Sequence, residues 1–213
     1  MKQQMTPKLK VCGMKFRENI EVIHQLSPDY LGFIFYAKSP RYVVGELAPD
    51  WLAAQPINAQ KVGVFVNEEI DIVLTQATAF GLDLVQLHGQ ESPQVCQEIK
   101  ETGMGVIKVF AVGNQFDFQL LEPYKPFCDF FLFDTQGKLA GGNGVSFNWD
   151  ILQHYDNEIP FFLSGGIGLE NIEKLLALQS LNIQAIDINS RFELAAGLKD
   201  VGKVKALIQK LIK

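Results

Sequence analysis

Short apolar runs alternate along this chain with longer segments whose apolar positions recur at helical spacing. Eight of the short runs are rich in Val, Ile, Phe and Leu, and each predicts a β-strand. The predicted strands are Lys8–Val11, Tyr30–Phe35, Val62–Val66, Asp83–Leu87, Val106–Phe110, Phe130–Phe133, Phe161–Leu163 and Ala185–Ile188. Most of them are almost continuously apolar, which is typical of parallel strands that are covered on both faces.

The segments between these strands predict helices. They are Phe16–Leu26, Pro49–Ala54, Ile70–Ala79, Gln94–Lys100, Phe116–Leu121, Trp149–His154, Asn171–Leu178 and Val201–Ile212. The last one shows the pattern clearly, because Val204, Leu207 and Leu211 share one face while lysines occupy the other.

Eight β-then-α units in succession fit either a closed (β/α)8 barrel or a doubly wound open sheet. An open sheet of this kind usually carries a glycine fingerprint after its first strand, and Cys12-Gly13-Met14-Lys15 is not one. We therefore predict an α/β fold, the (β/α)8 TIM barrel. Because no linker or low-complexity segment divides the chain, we expect residues 1–213 to form a single domain.

Composition narrows the class of protein. The chain has 213 residues, of which 47% are hydrophobic and 20% charged, as in folded soluble domains. A net charge of −5 without a basic run argues against nucleic-acid binding. No apolar run reaches the roughly 20 residues of a membrane span. The polar N-terminus lacks the core of a signal peptide, so we expect a cytoplasmic protein without a membrane partner.

The three cysteines, Cys12, Cys96 and Cys128, are far apart in the sequence. An odd number at such spacing argues against a disulfide framework, and no Cys or His pair has the spacing of zinc ligands. We therefore expect no metal site.

Active sites of barrels lie at the carboxyl ends of the strands. Ser164-Gly165-Gly166-Ile167-Gly168 follows the seventh predicted strand and precedes a helix. Glycine backbone N–H groups and a helix N-terminus favour a phosphate site, with Asn189 and Ser190 after the eighth strand completing it. A simple turn is the alternative for the glycines. Arg191 adds a charge beside them or points into solvent.

Two residues at strand ends have the chemistry of an acid and a base. Asp134 ends an apolar run, and partial desolvation suits a carboxyl group to general-acid work, although it could instead cap a loop. Cys12 lies two residues after Lys10, on the same face. A thiol beside a cation becomes a thiolate, which acts as a base or nucleophile. The alternative for Cys12 is a small buried apolar residue.

Three further features follow other strands. Arg41 lies after the second strand, where it could hold a carboxylate through two nitrogens or remain on the surface. His88 follows the fourth strand and either positions a ligand or satisfies a loop carbonyl. Gly141-Gly142-Asn143-Gly144 is either a lid that closes over a ligand or a loose connection.

Several short motifs occur in a fixed order between residues 10 and 200. They are Lys10-Val11-Cys12-Gly13, Gly32-Phe33-Ile34-Phe35, Ser39-Pro40-Arg41, Gly63 to Asn67, Gln86 to Gly89, Asp134-Thr135, Gly141 to Trp149, Leu163 to Ile167 and Asp187 to Asp200. Together they resemble the phosphoribosylanthranilate isomerase family of tryptophan biosynthesis.

This resemblance implies a barrel that catalyses an Amadori rearrangement of a phosphosugar, N-(5-phosphoribosyl)anthranilate, without a cofactor. Asp134 matches the family's general acid and Cys12 its general base. Arg41 matches the ligand of the anthranilate carboxylate, and we expect His88 and Lys10 to contact substrate as well. Phosphate would be bound by Gly165, Gly166, Asn189 and Ser190, together with Arg191.

The chain departs from the family's usual motifs at three places. Arg191 stands where a glycine is usual, Ala195-Ala196 where a proline is usual, and Asn148 where an aspartate is usual. The arginine either adds a phosphate contact or sends the loop along another path.

Two other functions are alternatives to this one. The isomerase that performs the analogous step in histidine biosynthesis is usually read as using aspartates on strands one and five, which here end in Cys12 and Ala111. A barrel that only binds a phosphosugar or a protein would not need Cys12, Asp134 and Arg41 together. The sequence leaves open whether the protein is a monomer or a homodimer.

Overall fold

The computed structural model describes residues 7–135, 148–178 and 180–211. Eight parallel strands pair in chain order, and the eighth pairs with the first, so they close into a barrel. The strands are β1 (Lys8–Val11), β2 (Tyr30–Ile34), β3 (Gln60–Phe65), β4 (Leu84–Leu87), β5 (Gly105–Val112), β6 (Phe130–Thr135), β7 (Phe161–Leu163) and β8 (Ile183–Ile188). The predicted (β/α)8 barrel is confirmed.

Helices follow the strands on the outside of the barrel. The α-helices are α1 (Arg17–His24), α2 (Pro49–Ala54), α3 (Ile70–Ala79), α4 (Pro93–Glu101), α5 (Ile172–Leu176) and α6 (Val201–Leu211). No helix in these described ranges is long and apolar enough to cross a membrane.

Two predicted helices differ in type from the α-helices. Phe118–Phe127 and Trp149–His154 are 3₁₀ helices. The first contains Pro123 and Pro126, which lack the backbone N–H that an α-helix needs at those positions. The segment predicted as Asn171–Leu178 shortens to α5. The predicted lid at 141–144 lies outside the described residues.

A small antiparallel hairpin lies between β8 and α6 and was not predicted. Its strands are β9 (Glu193–Ala195) and β10 (Leu198–Lys199), joined by a turn in which Gly197 has a φ of +85°. This conformation favours glycine. Asn19 of α1 holds the hairpin: its side-chain amide donates to the Lys199 carbonyl oxygen at 3.0 Å, and its Oδ1 accepts from the Lys199 N–H at 2.8 Å.

The interior of the barrel has an apolar layer and, nearer to the carboxyl ends of the strands, a polar layer. The apolar layer is called the lower one below. Buried side chains that point inward form the lower layer: Tyr30, Val62, Leu84, Ile107, Val109, Leu132, Phe162 and Ala185. Gln86 and Asp187 lie two residues beyond Leu84 and Ala185, so they also face the interior. Both are buried, as is Lys10. These three polar side chains form a layer directly above the apolar one.

Candidate active site

A pocket opens where the carboxyl ends of the strands meet. Its walls come from β1, β4, β6 and the loops after β2, β7 and β8. Of the residues predicted from the sequence, the pocket brings together Cys12, Arg41, His88, Asp134, Gly165, Gly166, Asn189, Ser190 and Arg191. This is the end of the barrel at which the sequence placed the site.

Lys10 has a different place from the one expected. Its side chain is fully buried, and its ammonium group donates to Gln86 Oε1 at 2.6 Å and to Asp187 Oδ2 at 3.0 Å. The lysine reaches across the interior of the barrel below the pocket instead of lining it. The geometry therefore makes Lys10 a support for Gln86 and Asp187, which do line the pocket.

Cys12 lies on the floor of the pocket and is 5% exposed. Its sulfur packs against the backbone of β2, since a Cβ at Gly32 would lie 2.7 Å from Sγ. Burial raises the pKa of the Cys12 thiol above its ordinary value, and the nearby Lys10 opposes this shift without overcoming it. The expectation that the neighbouring lysine yields a thiolate therefore does not hold for the free protein.

A chain of hydrogen-bonding groups leads from Lys10 to Asp134. The ammonium of Lys10 can only donate, so Gln86 turns its oxygen to Lys10 and its Nε2 toward His88 Nδ1, 3.0 Å away. His88 Nδ1 must then accept, which leaves the ring proton of a neutral imidazole on Nε2. This nitrogen lies 3.5 Å from Asp134 Oδ2. The Thr135 N–H donates to the other oxygen, Asp134 Oδ1, at 2.8 Å.

A buried ion pair holds the loop that carries His88. Glu91 and Lys108 are each 3% exposed at the side chain, and their charged atoms are 3.1 Å apart. The Glu91 carboxylate also accepts from the backbone N–H groups of Asn67 at 2.8 Å and Gly89 at 3.0 Å. These bonds fix the backbone on both sides of the pocket wall near His88.

Arg41 is paired with a carboxylate of the protein. Its Nε donates to Glu193 Oε1 at 2.9 Å and its Nη2 to Glu193 Oε2 at 2.6 Å. Glu193 is the first residue of β9, 152 positions further along the chain. Hydrogen bonding to Glu193 raises the pKa of Arg41, so the guanidinium remains charged. Two of its donors serve Glu193, and the end formed by Nη1 and Nη2 offers further ones.

The glycines after β7 are required by the local structure, independently of any ligand that approaches them. Gly165 and Gly166 have φ values of +89° and +63°. A Cβ at Gly165 would lie 2.1 Å from Thr135 Oγ1, so only glycine fits against the end of β6. The expected helix N-terminus is not beside these glycines, because α5 begins only at Ile172. Any anion site here depends on backbone and side-chain groups.

Arg191 lies at the rim of the pocket, in the turn after β8. Its guanidinium pairs with Glu170, which follows the glycine loop. The side chain is 35% exposed. The pair therefore joins the two loops that were predicted to bind phosphate.

Four pocket or near-pocket residues were missed as functional candidates: Gln86, Asp187, Glu193 and Lys199. A polar side chain inside an otherwise apolar strand was a usable signal for Gln86 and Asp187. Within the described part of the chain, Asp187 Oδ1 is buried and has no hydrogen-bond partner. Burial raises the pKa of Asp187, while Lys10 opposes the shift. Glu193 and Lys199 lie in the motif from Asp187 to Asp200, but the pattern of apolar and polar positions did not mark them as site residues.

Over residues 7–135, 148–178 and 180–211, no cluster of three or more His, Cys, Asp or Glu side chains could hold a metal ion. The chemistry available in the pocket is that of a thiol, carboxyl groups, an imidazole and guanidinium groups.

Residues 9–210 match the family model of N-(5'-phosphoribosyl)anthranilate isomerase. The chain belongs to this family. A relative of that name from Phocaeicola vulgatus is 44% identical over 203 residues, which are 95% of this chain and 97% of the relative. The protein is thus an isomerase of tryptophan biosynthesis, as the resemblance implied.

Solved structures of the family agree with the fold. The phosphoribosyl anthranilate isomerase from Thermotoga maritima superposes with a TM-score of 0.86 at 32% identity, over 97% of this chain and 98% of that one. A phosphoribosyl anthranilate isomerase in complex with reduced 1-(o-carboxyphenylamino)-1-deoxyribulose 5-phosphate superposes with a TM-score of 0.83 at 31% identity, with the same coverage of both chains.

One departure from the family's usual motifs has a simple local explanation. Asn148 precedes the 3₁₀ helix Trp149–His154, and its Oδ1 accepts from the Asp150 N–H at 3.1 Å. Asparagine and aspartate serve equally well as a helix cap of this kind. The replacement of the usual aspartate therefore preserves this cap.

Proposed function

We propose that this isomerase converts N-(5'-phosphoribosyl)anthranilate to 1-(2-carboxyphenylamino)-1-deoxyribulose 5-phosphate by an Amadori rearrangement. Asp134 is the general acid and Cys12 the general base. The observation that carries the proposal is that both side chains line one pocket, together with Arg41 and the loops after β7 and β8.

The reaction needs a proton donor and a proton acceptor at different atoms of the same sugar. Asp134 protonates the ring oxygen of the furanose, which opens the ring to a Schiff base. Cys12 removes the proton from carbon 2, and the resulting enolamine tautomerises to the ketose. Cys12 directly follows β1 and Asp134 lies near the end of β6. Because β7 and β8 lie between these strands in the barrel, the two side chains approach a substrate from different directions.

Neighbouring groups support these two roles. His88 Nε2 faces the carboxyl group of Asp134, 3.5 Å from Oδ2. The unpaired Asp187 Oδ1 offers an acceptor for a sugar hydroxyl within the pocket. Since the free Cys12 thiol is favoured over the thiolate, the thiol first gives its proton to solvent water, and the thiolate then accepts the proton from carbon 2.

The substrate has an anionic group at each end, and two sets of donors line the pocket. Arg41 receives the anthranilate carboxylate through the guanidinium end that Glu193 does not use. The phosphate binds between the Gly165–Gly166 loop and Asn189, Ser190 and Arg191. Holding both ends aligns carbon 2 with the base. The ligand named for the homologous complex carries the same two anionic groups.

The remaining predictions concern the surroundings of the reaction. We expect it to need no cofactor or metal, and to occur in the cytoplasm. The oligomeric state, monomer or homodimer, stays open.

The test is a turnover assay on the purified protein. The substrate is generated in place from anthranilate and phosphoribosyl pyrophosphate, and its fluorescence is followed as it disappears. Cys12→Ala and Asp134→Asn should each lower kcat by about 10²- to 10⁴-fold, the usual contribution of a general base or acid. Cys96→Ala and Asp71→Asn, which change a thiol and a carboxylate outside the pocket, are the matched controls.

Two results would contradict the proposal. Wild-type protein that consumes the substrate no faster than buffer would point to another phosphosugar or to a barrel that only binds its ligand. Near-normal turnover by Cys12→Ala or Asp134→Asn would remove the role assigned to that residue.

A further inference from the structure

The ammonium group of Lys199 is enclosed behind the wall of the pocket. The side chain is 0% exposed, and Nζ donates to Asn189 Oδ1 at 2.8 Å and to Glu193 Oε1 at 2.6 Å. The backbone of Lys199 is fixed at the same time by both polar atoms of the Asn19 side chain. The position of this charge is therefore set by the fold and not by a ligand.

The contact with Lys199 determines which way Asn189 presents its amide group. An ammonium group can only donate, so it holds the oxygen of the amide. The remaining polar atom of Asn189 is Nδ2, a donor. Asn189 follows β8 and lines the pocket beside Ser190. An amide fixed in this way offers an N–H to an anion at the phosphate end, and it cannot turn its oxygen there without losing the bond to Lys199.

The second contact of Lys199 determines how Glu193 holds Arg41. Glu193 Oε1 accepts from Lys199 Nζ, from the Gly197 N–H at 3.0 Å and from Arg41 Nε, while Oε2 accepts from Arg41 Nη2. The carboxylate thus occupies the Nε side of the guanidinium plane. The Nη1 group and the second hydrogen of Nη2 form the other fork, which matches a second carboxylate.

The charges of this cluster support an anion-binding function. Burial acts to raise the pKa of Glu193, but Arg41 and Lys199 hold it below its ordinary value, so the carboxylate is ionised. Two cations share this one anion. Burial lowers the pKa of Lys199, and the neighbouring Glu193 opposes this shift. The cluster of Arg41, Glu193 and Lys199 therefore places two basic side chains around one carboxylate next to the pocket.

We propose that Glu193 and Lys199 are positioning residues that orient the donors of Arg41 and Asn189 toward the two anionic ends of the substrate. This inference rests on the proposed function. The buried pair links the carboxylate anchor to the phosphate anchor, so the distance between the two anchors is fixed before substrate binds. Neither residue touches the reacting atoms.

The first test uses two substrates that differ only in the carboxylate, N-(5'-phosphoribosyl)anthranilate and N-(5'-phosphoribosyl)aniline. Glu193→Gln keeps the shape of the side chain but replaces one accepting carboxylate oxygen with an NH2 group and removes the negative charge, so only one atom can still accept from Arg41 and Lys199. We expect kcat/KM for the anthranilate substrate to fall about 10- to 100-fold, mainly through KM, as for loss of a charge-assisted hydrogen bond. The aniline substrate should change by less than about threefold.

The second test concerns the phosphate end, with inorganic phosphate as a competitive inhibitor of turnover. Lys199→Met should raise the inhibition constant for phosphate about tenfold as well as the KM for the anthranilate substrate. Because this change leaves Glu193 buried without its cation, the double variant Lys199→Met/Glu193→Gln removes both charges and keeps the test possible if the single variant does not fold. Lys100→Met and Glu46→Gln, which break ion pairs between residues that do not line the pocket, are the controls.

Three outcomes would overturn the inference. An equal loss on both substrates in Glu193→Gln would show a general structural role. An unchanged inhibition constant for phosphate in the folded Lys199 variants would remove the link to Asn189. Wild-type protein that turns over neither substrate would overturn the proposed function itself, and this inference with it.

Discussion

Several neighbouring groups shift the pKa of the Cys12 thiol, and they act in opposite directions. Burial on the pocket floor favours the neutral form, the neighbouring Asp187 acts in the same direction, and Lys10 and Lys199 act against both. The outcome is a raised pKa. In the free protein at neutral pH the sulfur is therefore protonated, which also makes it a weak nucleophile toward oxidants and alkylating agents.

Alkylation of Cys12 by iodoacetamide should accordingly depend steeply on pH. Only the thiolate reacts, so the rate should rise about tenfold per pH unit from pH 7 to pH 9 and still be rising there. The measurement is mass spectrometry of the peptide that contains Cys12 after timed labelling, with Cys12→Ser as the blank. A rate that is already constant between pH 7 and pH 9 would mean that the thiolate is present at neutrality.

The sequence predicted which residues lie in the site better than it predicted which residues they bond to. Cys12 and His88 directly follow β1 and β4, Asp134 lies near the end of β6, and the barrel architecture brings such residues together. The partner of Arg41 could not be found in this way. Glu193 lies 152 residues away in a hairpin too short to leave a periodic pattern, and only the folded loops bring the two side chains into contact.

Strands, helices and loops differ in how far their sequences determine them. Continuous apolar runs predicted all eight barrel strands, with ends that differ from those observed by at most two residues. Apolar periodicity distinguishes α-helix from 3₁₀ helix poorly, since both bury one face. That is why Phe116–Leu121 is predicted simply as a helix, whereas the structure has a 3₁₀ helix, Phe118–Phe127, that continues through two prolines beyond the predicted end.

The loop after β7 shows a tight fit between two elements. Gly165 has positive φ, and the space where its side chain would be is filled by Thr135. Gly45 has the same φ of +89° but no atom within 4 Å of the position of a Cβ. Alanine substitutions at these two glycines therefore distinguish two losses of stability. One comes from the backbone conformation alone, and the other also includes the steric contact with Thr135.

Gly165→Ala should lower the free energy of unfolding by about 3 kcal/mol or more, and Gly45→Ala by only about 1 kcal/mol. The difference reflects the clash with Thr135. Urea denaturation followed by circular dichroism gives both values. We also expect Gly165→Ala to raise KM, because the shifted loop lines the phosphate end of the pocket. Equal losses in the two variants would show that the contact with Thr135 is easily relieved.

Closure of the whole barrel depends on contacts between its first and last units. β1 pairs with β8 in a register that places Lys10 opposite Asp187, the same two residues whose side chains form the ion pair below the pocket. Outside the strands, Asn19 of α1 satisfies both backbone groups of Lys199. The site therefore contains residues from both sides of the seam between β1 and β8.

Asn19→Ala should destabilise the molecule by about 2–4 kcal/mol, because it leaves the buried N–H and C=O of Lys199 without partners. Asn182→Ala is the matched control. Its side chain also bonds to a backbone carbonyl, that of Asn157, but at the exposed surface, and we expect a change within about 0.5 kcal/mol. The midpoints of urea unfolding report both effects. If Asn19→Ala lowered the free energy of unfolding no more than Asn182→Ala, the bonds from Asn19 to Lys199 would not help to close the barrel.

The seam also has a consequence for how the chain is made. During synthesis β1 emerges from the ribosome before the other barrel strands, and β8 emerges after them. The edge of β1 that pairs with β8 therefore stays unpaired until β8 has been made. An unpaired strand edge is a site for mistaken pairing with other chains. Lys10, which later pairs with Asp187 across the seam, keeps β1 from being wholly apolar. Residues that shape the site of the finished enzyme thus also lie at the edge that its nascent chain leaves open longest.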